Sequence, residues 1–261
     1  MGIQTDLSPG LGLLKTLGRS FLKLPYENIS KIQGWDEAGN GEPRLETPEQ
    51  IWGNFLREGT GGTCFSLTAL LHATLTDLGF EASIVLADRP YGKETHCLVI
   101  VDLEETKWGI DPGFLIYKPM ILPSQGAQLI PYQPYSLLIE KAANESYCVG
   151  TIDNHKQYKF RYSFYATPAS KESFENAWRH SFSWKGWGGL SLSRRIPGGQ
   201  LYCHNLDIRW VYPQKKIHIK MREGDFSAIE NLWGIPQRLF GASWEIYKGW
   251  RDPSKKELST R

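Results

Sequence analysis

The chain has 261 residues, enough to bury a substantial core and to divide into two or three modules, and its 41% hydrophobic and 22% charged content excludes a disordered polymer. With 30 Lys and Arg against 28 Asp and Glu, the net charge of +2 provides no global basic field for a nucleic-acid partner. No stretch approaches the roughly 20 apolar residues of a membrane span, and the first residues lack the basic-then-apolar pattern of a secretory signal, so a cytoplasmic location without membrane association is expected.

Leu11 to Leu22 reads as a first helix, and Gly and Pro punctuate the stretch from Gly34 to Pro43. Thr60, Gly61, Gly62 and Thr63 read as a loop, because two successive glycines interrupt any regular element. Leu67, Leu70, Leu71, Leu75 and Leu78 then recur with the spacing of one buried helical face, which Gly79 closes. Cys64 therefore falls in the first turn of a helix, where unpaired amides and the positive end of the dipole favour a thiolate. A free cysteine is also commonly a small buried residue, and Cys64 by itself does not decide between these readings.

Further along, Ser83 to Leu86 and Cys97 to Val101 are short and β-branched, and Trp108 to Ile110 continues after the polar stretch Glu104 to Lys107, so a hairpin is predicted. A turn centred between Leu103 and Glu104 places Val101 opposite Thr106, Val99 opposite Trp108 and His96 opposite Asp111. The last pair then shares a face with Cβ atoms roughly 5 Å apart. Asp111 would hold one imidazole nitrogen and leave the other aimed at Cys64, the logic of a nucleophilic triad. An odd-length loop would break this pairing. The plain alternative is a polar cross-strand pair at the end of a sheet.

Tyr135 to Ile139, Tyr158 to Phe164 and Gln200 to Trp210 are further strand candidates, suggesting an antiparallel sheet or barrel between residues 82 and 212. Phe226, Ile229, Leu232 and Trp233 return to helical spacing, and the tail from Asp252 is polar. Trp184 and Trp187 in their glycine-rich segment read as packing under a loop, and Lys185, Arg194 and Arg195 as solvated cations without an assigned role. The four cysteines, Cys64, Cys97, Cys148 and Cys203, form no Cys-x-x-Cys pair, which argues against a zinc site or a redox motif. Cys97 alternates with His96 and is expected to face away from it as a packing residue.

The order of these residues resembles the arylamine N-acetyltransferase family, whose cysteine follows a double glycine, whose histidine opens an apolar strand and whose aspartate precedes a Gly-Phe step. Asp111, Pro112, Gly113 and Phe114 match that last element, Leu24 to Ile29 resembles the family's Pro-Phe-Glu-Asn-Leu segment with Tyr26 for phenylalanine, and Leu78, Gly79 and Phe80 match its helix end. Fainter echoes lie at Tyr158 to Phe164 and Leu232 to Ile235. The chain departs from the family at Thr60, where arginine is usual, and at Ser66 and Thr68, where Glu or Gln and Asn are common.

The resemblance implies an α+β, Cys-proteinase-like fold: a helical bundle over residues 1–81, an antiparallel β-barrel over 82–212 and a small α/β lid over 213–261. It implies Cys64, His96 and Asp111 as catalytic residues and no permanently bound cofactor; Phe114, which follows the triad on the same strand end, is the candidate to line the acyl pocket, and no metal is expected from the cysteine spacing. Acetyl-CoA would be the co-substrate and a small-molecule arylamine, hydrazine or other amine the acceptor. An amide synthase, a transglutaminase-like enzyme or a cysteine hydrolase using the same triad, and a catalytically silent binding module, remain as alternatives.

Overall fold

A computed structural model describes residues 8–39, 42–183 and 188–251. The N-terminal part is helical: α1 (Leu11–Phe21), the two-residue strand β1 (Tyr26–Glu27), α2 (Ile29–Ala38), α3 (Pro48–Glu58) and α4 (Cys64–Asp77). Thr47 begins α3 with a reciprocal capping box to Gln50, and Pro48 occupies its first turn, where the missing amide has no cost. Helix α4 buries Leu67, Leu70, Leu71 and Leu75, the face expected from their spacing, and Gly79 (φ +80°) ends it.

Eight strands follow: β2 (Glu81–Arg89), β3 (Gly92–Leu103), β4 (Thr106–Asp111), β5 (Ile116–Ile121), β6 (Ala127–Tyr132), β7 (Tyr135–Lys141), β8 (Tyr147–Ile152) and β9 (Tyr158–Phe164). They form one antiparallel sheet in the order β5-β4-β3-β2-β9-β8-β7-β6, which curls into a near-closed barrel. Val85, Leu98, Ile100, Met120, Ile139, Val149 and Tyr162 share one packed core. The Tyr132 hydroxyl donates to the Leu115 carbonyl, tying the β6 end of the sheet to the segment before β5.

Helix α5 (Lys171–His180) interrupts the strands, and four more follow: β10 (Ser191–Ile196), β11 (Gly199–His204), β12 (Asp207–Val211) and β13 (Lys216–Lys220), before α6 (Ser227–Trp233) and α7 (Gln237–Arg251). The single run expected from Gln200 to Trp210 is thus a hairpin, turned at Asn205 with φ +54°. The smaller sheet, ordered β1-β10-β11-β12-β13, joins residues 26–27 to residues 191–220 and so draws on all three sequence segments. Ile29 and Ile32 of α2 share its core with Leu192, Leu201 and Ile208 of the sheet and with Trp233, Phe240 and Trp244 of α6 and α7.

These layers place the start of α4 between the two sheets. One face of α4 packs on β2 and β3, where Phe65, Leu67 and Leu71 share a core with Cys97, Val99 and Val101. On the other side, the Glu27 amide of β1 donates to the Gly62 carbonyl at 3.0 Å, pinning the glycine loop to the smaller sheet. Among the described residues, no helix is long and apolar enough to cross a membrane.

Candidate active site

Gly61 and Gly62 lead into α4 for two steric reasons. A Cβ on Gly61 would lie 2.1 Å from the Pro25 carbonyl oxygen, and Gly62 holds φ +100°, which side chains rarely tolerate. Thr63 is the N-cap and Cys64 the first helical residue, buried to 6% exposure. His96 on β3 is 1% exposed and Asp111 at the end of β4 is fully buried.

The structure brings His96 and Asp111 together, but not by the predicted register. The β3–β4 turn is Glu104-Glu105, with Leu103 opposite Thr106, Val101 opposite Trp108 and Val99 opposite Ile110. Both glutamates hold left-handed angles, φ +50° and +58°, giving a two-residue turn with side chains that rarely choose it. The loop remains even, so the faces expected for His96 and Asp111 are kept while the partners shift by two positions. His96 consequently reaches Asp111 diagonally, Nε2 to Oδ2 at 2.9 Å, instead of facing it across the ladder. The other oxygen, Oδ1, accepts from the Phe114 amide at 3.0 Å, so both carboxylate oxygens are fixed.

With Nε2 engaged, the buried Nδ1 has no hydrogen-bond partner among the described residues, and the ring lies close enough to Cys64 for each to shift the other's titration. Gly113 sits against both groups: a Cβ there would lie 2.5 Å from Cys64 Cβ and 2.8 Å from His96 Cε1. Gly113→Ala is therefore expected to prise the thiol and imidazole apart. Steady-state kinetics should show kcat/KM falling by about 10²-fold, with a cost in stability of about 1–3 kcal/mol.

The electrostatics of the group favour charge separation. A hydrogen bond from the Cys97 thiol, opposed by burial and helped by the hydrogen bond and charge of His96 and the charge of Lys31, holds Cys64 well below the ordinary thiol value. Burial opposes a charged imidazole at His96, but the charge and hydrogen bond of Asp111 and the contact with Cys64 outweigh it and raise the ring to about 9. Cys97 is the buried packing residue expected, yet its thiol also reaches Cys64, and burial pushes its own titration well upward. Thr68, one turn along α4, donates to the Cys97 carbonyl at 3.4 Å. Lys31 of α2 donates to Ser181 Oγ, and burial lowers its ammonium to about 7. Nothing in the sequence pattern singled out Lys31, because it reaches the site through helix packing alone.

Phe114 stands edge-on to the His96 ring at 5.0 Å, and the Tyr162 ring lies 4.7 Å from His96 on another side. A cleft of about 570 Å³ opens beside Cys64, His96 and Phe114 between the two sheets, and a smaller one of about 240 Å³ shares Tyr26, Cys64, Arg89 and Ser191 with it. The larger cleft is cationic: Arg89, Lys159, Arg161, Arg195, Arg209 and Lys216 line it, and no Asp or Glu does so among the described residues. Arg195 thus belongs to the site although its sequence context marked it only as a surface cation. Arg194 instead donates to the Leu232 carbonyl at 2.8 Å. Trp184, Lys185 and Trp187 lie outside the described residues.

At the three departures from the family pattern, Thr60, Ser66 and Thr68 are all buried. Glu27 keeps its place fully buried, and its carboxylate accepts from the Ser30 amide at 2.9 Å and the Ser30 hydroxyl at 2.7 Å. The N-acetyltransferase family model matches residues 11–186. An arylamine N-acetyltransferase of Escherichia coli is 26% identical over 192 residues, covering 69% of this chain and 66% of that protein. An arylamine N-acetyltransferase / N-hydroxyarylamine O-acetyltransferase of Salmonella typhimurium is 30% identical over 128 residues, 45% of this chain and 42% of that protein. The matches therefore span less than two thirds of these relatives' own lengths. The solved arylamine N-acetyltransferase of Mycobacterium abscessus superposes with a TM-score of 0.79 at 16% identity, over 93% of this chain and 91% of that one, which establishes a shared fold.

Proposed function

The chain belongs to the N-acetyltransferase family, and from that premise we propose that it transfers an acetyl group from acetyl-CoA to an arylamine through a thioester on Cys64. The observation that carries this reading is the buried Cys64, His96 and Asp111 group opening onto a cationic cleft, lined by no Asp or Glu among the described residues and suited to a phosphorylated donor.

In the first half-reaction the Cys64 thiolate attacks the acetyl carbonyl, and the tetrahedral adduct expels the coenzyme thiolate, which takes a proton from His96. In the second, the amine attacks the Cys64 thioester, passes a proton to His96 and leaves as the amide, regenerating the thiolate. Asp111 keeps the imidazole in one orientation and stabilises its charged form throughout. The Cys64 backbone amide, in the first turn of α4 and so without an intrahelical acceptor, is an oxyanion donor in this scheme. The enzyme needs no metal or resident cofactor for these steps.

Intact-protein mass spectrometry tests the proposal. Mixing the protein with acetyl-CoA is expected to add one acetyl group, which a subsequent addition of aniline removes as acetanilide. A protein that stays unmodified contradicts it.

A further inference from the structure

Lys31 is a buried amine beside the reacting thiol, and the two half-reactions give it no step of its own. The hydrogen bond from the Glu27 amide to the Gly62 carbonyl, at 3.0 Å, sets the start of α2 against the start of α4, with Lys31 four residues beyond one end of it and Cys64 two beyond the other. Lys31 meets the first turn of α4 from the side: it lines the cavity of about 240 Å³ together with Cys64, and a second cavity together with Ser66. Its Nζ donates to Ser181 Oγ and stands 4.7 Å from the centre of the Phe182 ring. Two further lysines, Lys159 and Lys216, line the larger cleft beside Cys64, but both are exposed.

Loading the thiol changes what this neighbour can do. Burial lowers the Lys31 ammonium, and the charges of Cys64 and then Cys97 oppose that lowering. Acetylation of Cys64 removes the first of these charges, so the ammonium loses support at the moment a thioester forms beside it. A neutral amine can keep the donation to Ser181 Oγ and still present a lone pair. His96, having given its proton to the coenzyme thiolate, is then ready to accept another. A tethered amine needs no binding step and reacts at a high effective concentration whenever no external amine is present.

Resting on the acetyl-transfer reading above, we propose that Lys31 is a second acceptor within the protein, acetylated by the Cys64 thioester. The ammonium first gives one proton to solvent. Nζ then attacks the thioester carbonyl, the new C–N bond replaces the C–S bond, and a second proton from the nitrogen passes to His96. The step regenerates the Cys64 thiolate beside a protonated His96 and leaves a neutral amide on Lys31. That amide outlasts a thioester, frees Cys64 to load again, and deletes one of the positive charges that hold the thiolate. Donor without acceptor thus marks the protein next to its own nucleophile.

Intact-protein and peptide mass spectrometry test this on the unsubstituted protein. After incubation with acetyl-CoA and no amine, hydroxylamine is added to strip thioesters and leave amides. A stable acetyl group is expected on Lys31, at an occupancy at least about tenfold above that of Lys159 and Lys216, the least that tethering beside the thioester should provide. Aniline present from the start should divert the thioester and suppress the mark, Cys64→Ser should abolish it, and Lys31→Arg should carry only the hydroxylamine-labile group. Absence of a stable acetyl group on Lys31 would overturn the proposal, as would one that is undiminished in Cys64→Ser or indifferent to aniline. Should acetyl-CoA leave Cys64 unmodified, the transfer reading fails separately. 4-Nitrophenyl acetate then loads the thiol directly, and a Lys31 amide that depends on Cys64 upholds the inference while its absence contradicts it.

Discussion

Cys64→Ser is expected to lose acetyl transfer by at least about 10⁴-fold while keeping the fold. The argument follows from what the site is built to ionise. A hydroxyl is a much weaker acid than a thiol, so the Cys97 hydrogen bond, the imidazolium and Lys31, which together hold Cys64 below its ordinary value, cannot hold an alkoxide at neutral pH. The substitution changes one atom at a position already 6% exposed, so far-ultraviolet circular dichroism should be unchanged. Intact mass after acetyl-CoA should show no added acetyl group. Retention of more than about one per cent of the rate would mean that another residue carries the acyl group.

Asp111→Asn is the second large effect, a fall of about 10⁴-fold in kcat. The amide oxygen can keep the Phe114 amide now bound by Oδ1, but the Nδ2 group placed at Oδ2 is a donor. It would force His96 Nε2 to accept and move the ring proton to Nδ1, the nitrogen that must take protons at Cys64. Removing the carboxylate charge also lets His96 fall from about 9. The sign of the stability change follows. A histidine raised above its ordinary 6.5 contributes stability that is complete below that value and lost as pH rises through about 9. Thermal melts should therefore show Asp111→Asn most destabilised relative to the parent at acid and neutral pH, with the gap narrowing above pH 9. A gap that widens with pH would contradict the pairing.

How far the site was readable in the sequence depends on how local its determinants are. The position of Cys64 in the first turn of α4 was legible because a double glycine, a leucine stripe and a closing glycine all lie within about twenty residues. The shared face of His96 and Asp111 was legible because alternation along a strand is a local property. Their register was not, since Glu104 and Glu105 adopt a left-handed turn without the Asn-Gly chemistry that usually announces one. Arg89, Arg161 and Arg195 come from β2, β9 and β10, and Lys31 from α2. Only the packing of two sheets around the start of α4 gathers them, and no spacing in one dimension records that convergence. Helices α5 and α7 are absent from the expectations although Phe174, Ala177 and Trp178 in one, and Phe240, Trp244 and Tyr247 in the other, bury faces at helical spacing. Cys97 shows the limit of alternation in another way: it points into the core as expected, and there it meets Cys64.

The claim on which the account turns is that Cys64 rests as a thiolate beside a protonated His96. The pH dependence of Cys64 alkylation by iodoacetamide, followed by peptide mass spectrometry, tests it most directly. Burial raises Cys97 and Cys148 and pushes Cys203 up to about 12, so these three thiols serve as internal references in the same sample. The account predicts that Cys64 reacts well ahead of all three at pH 7 and that its rate stays level as pH falls from 8 to 6. A Cys64 rate that drops about tenfold per pH unit below pH 8, as for an ordinary thiol titrating near 8.5, would contradict it.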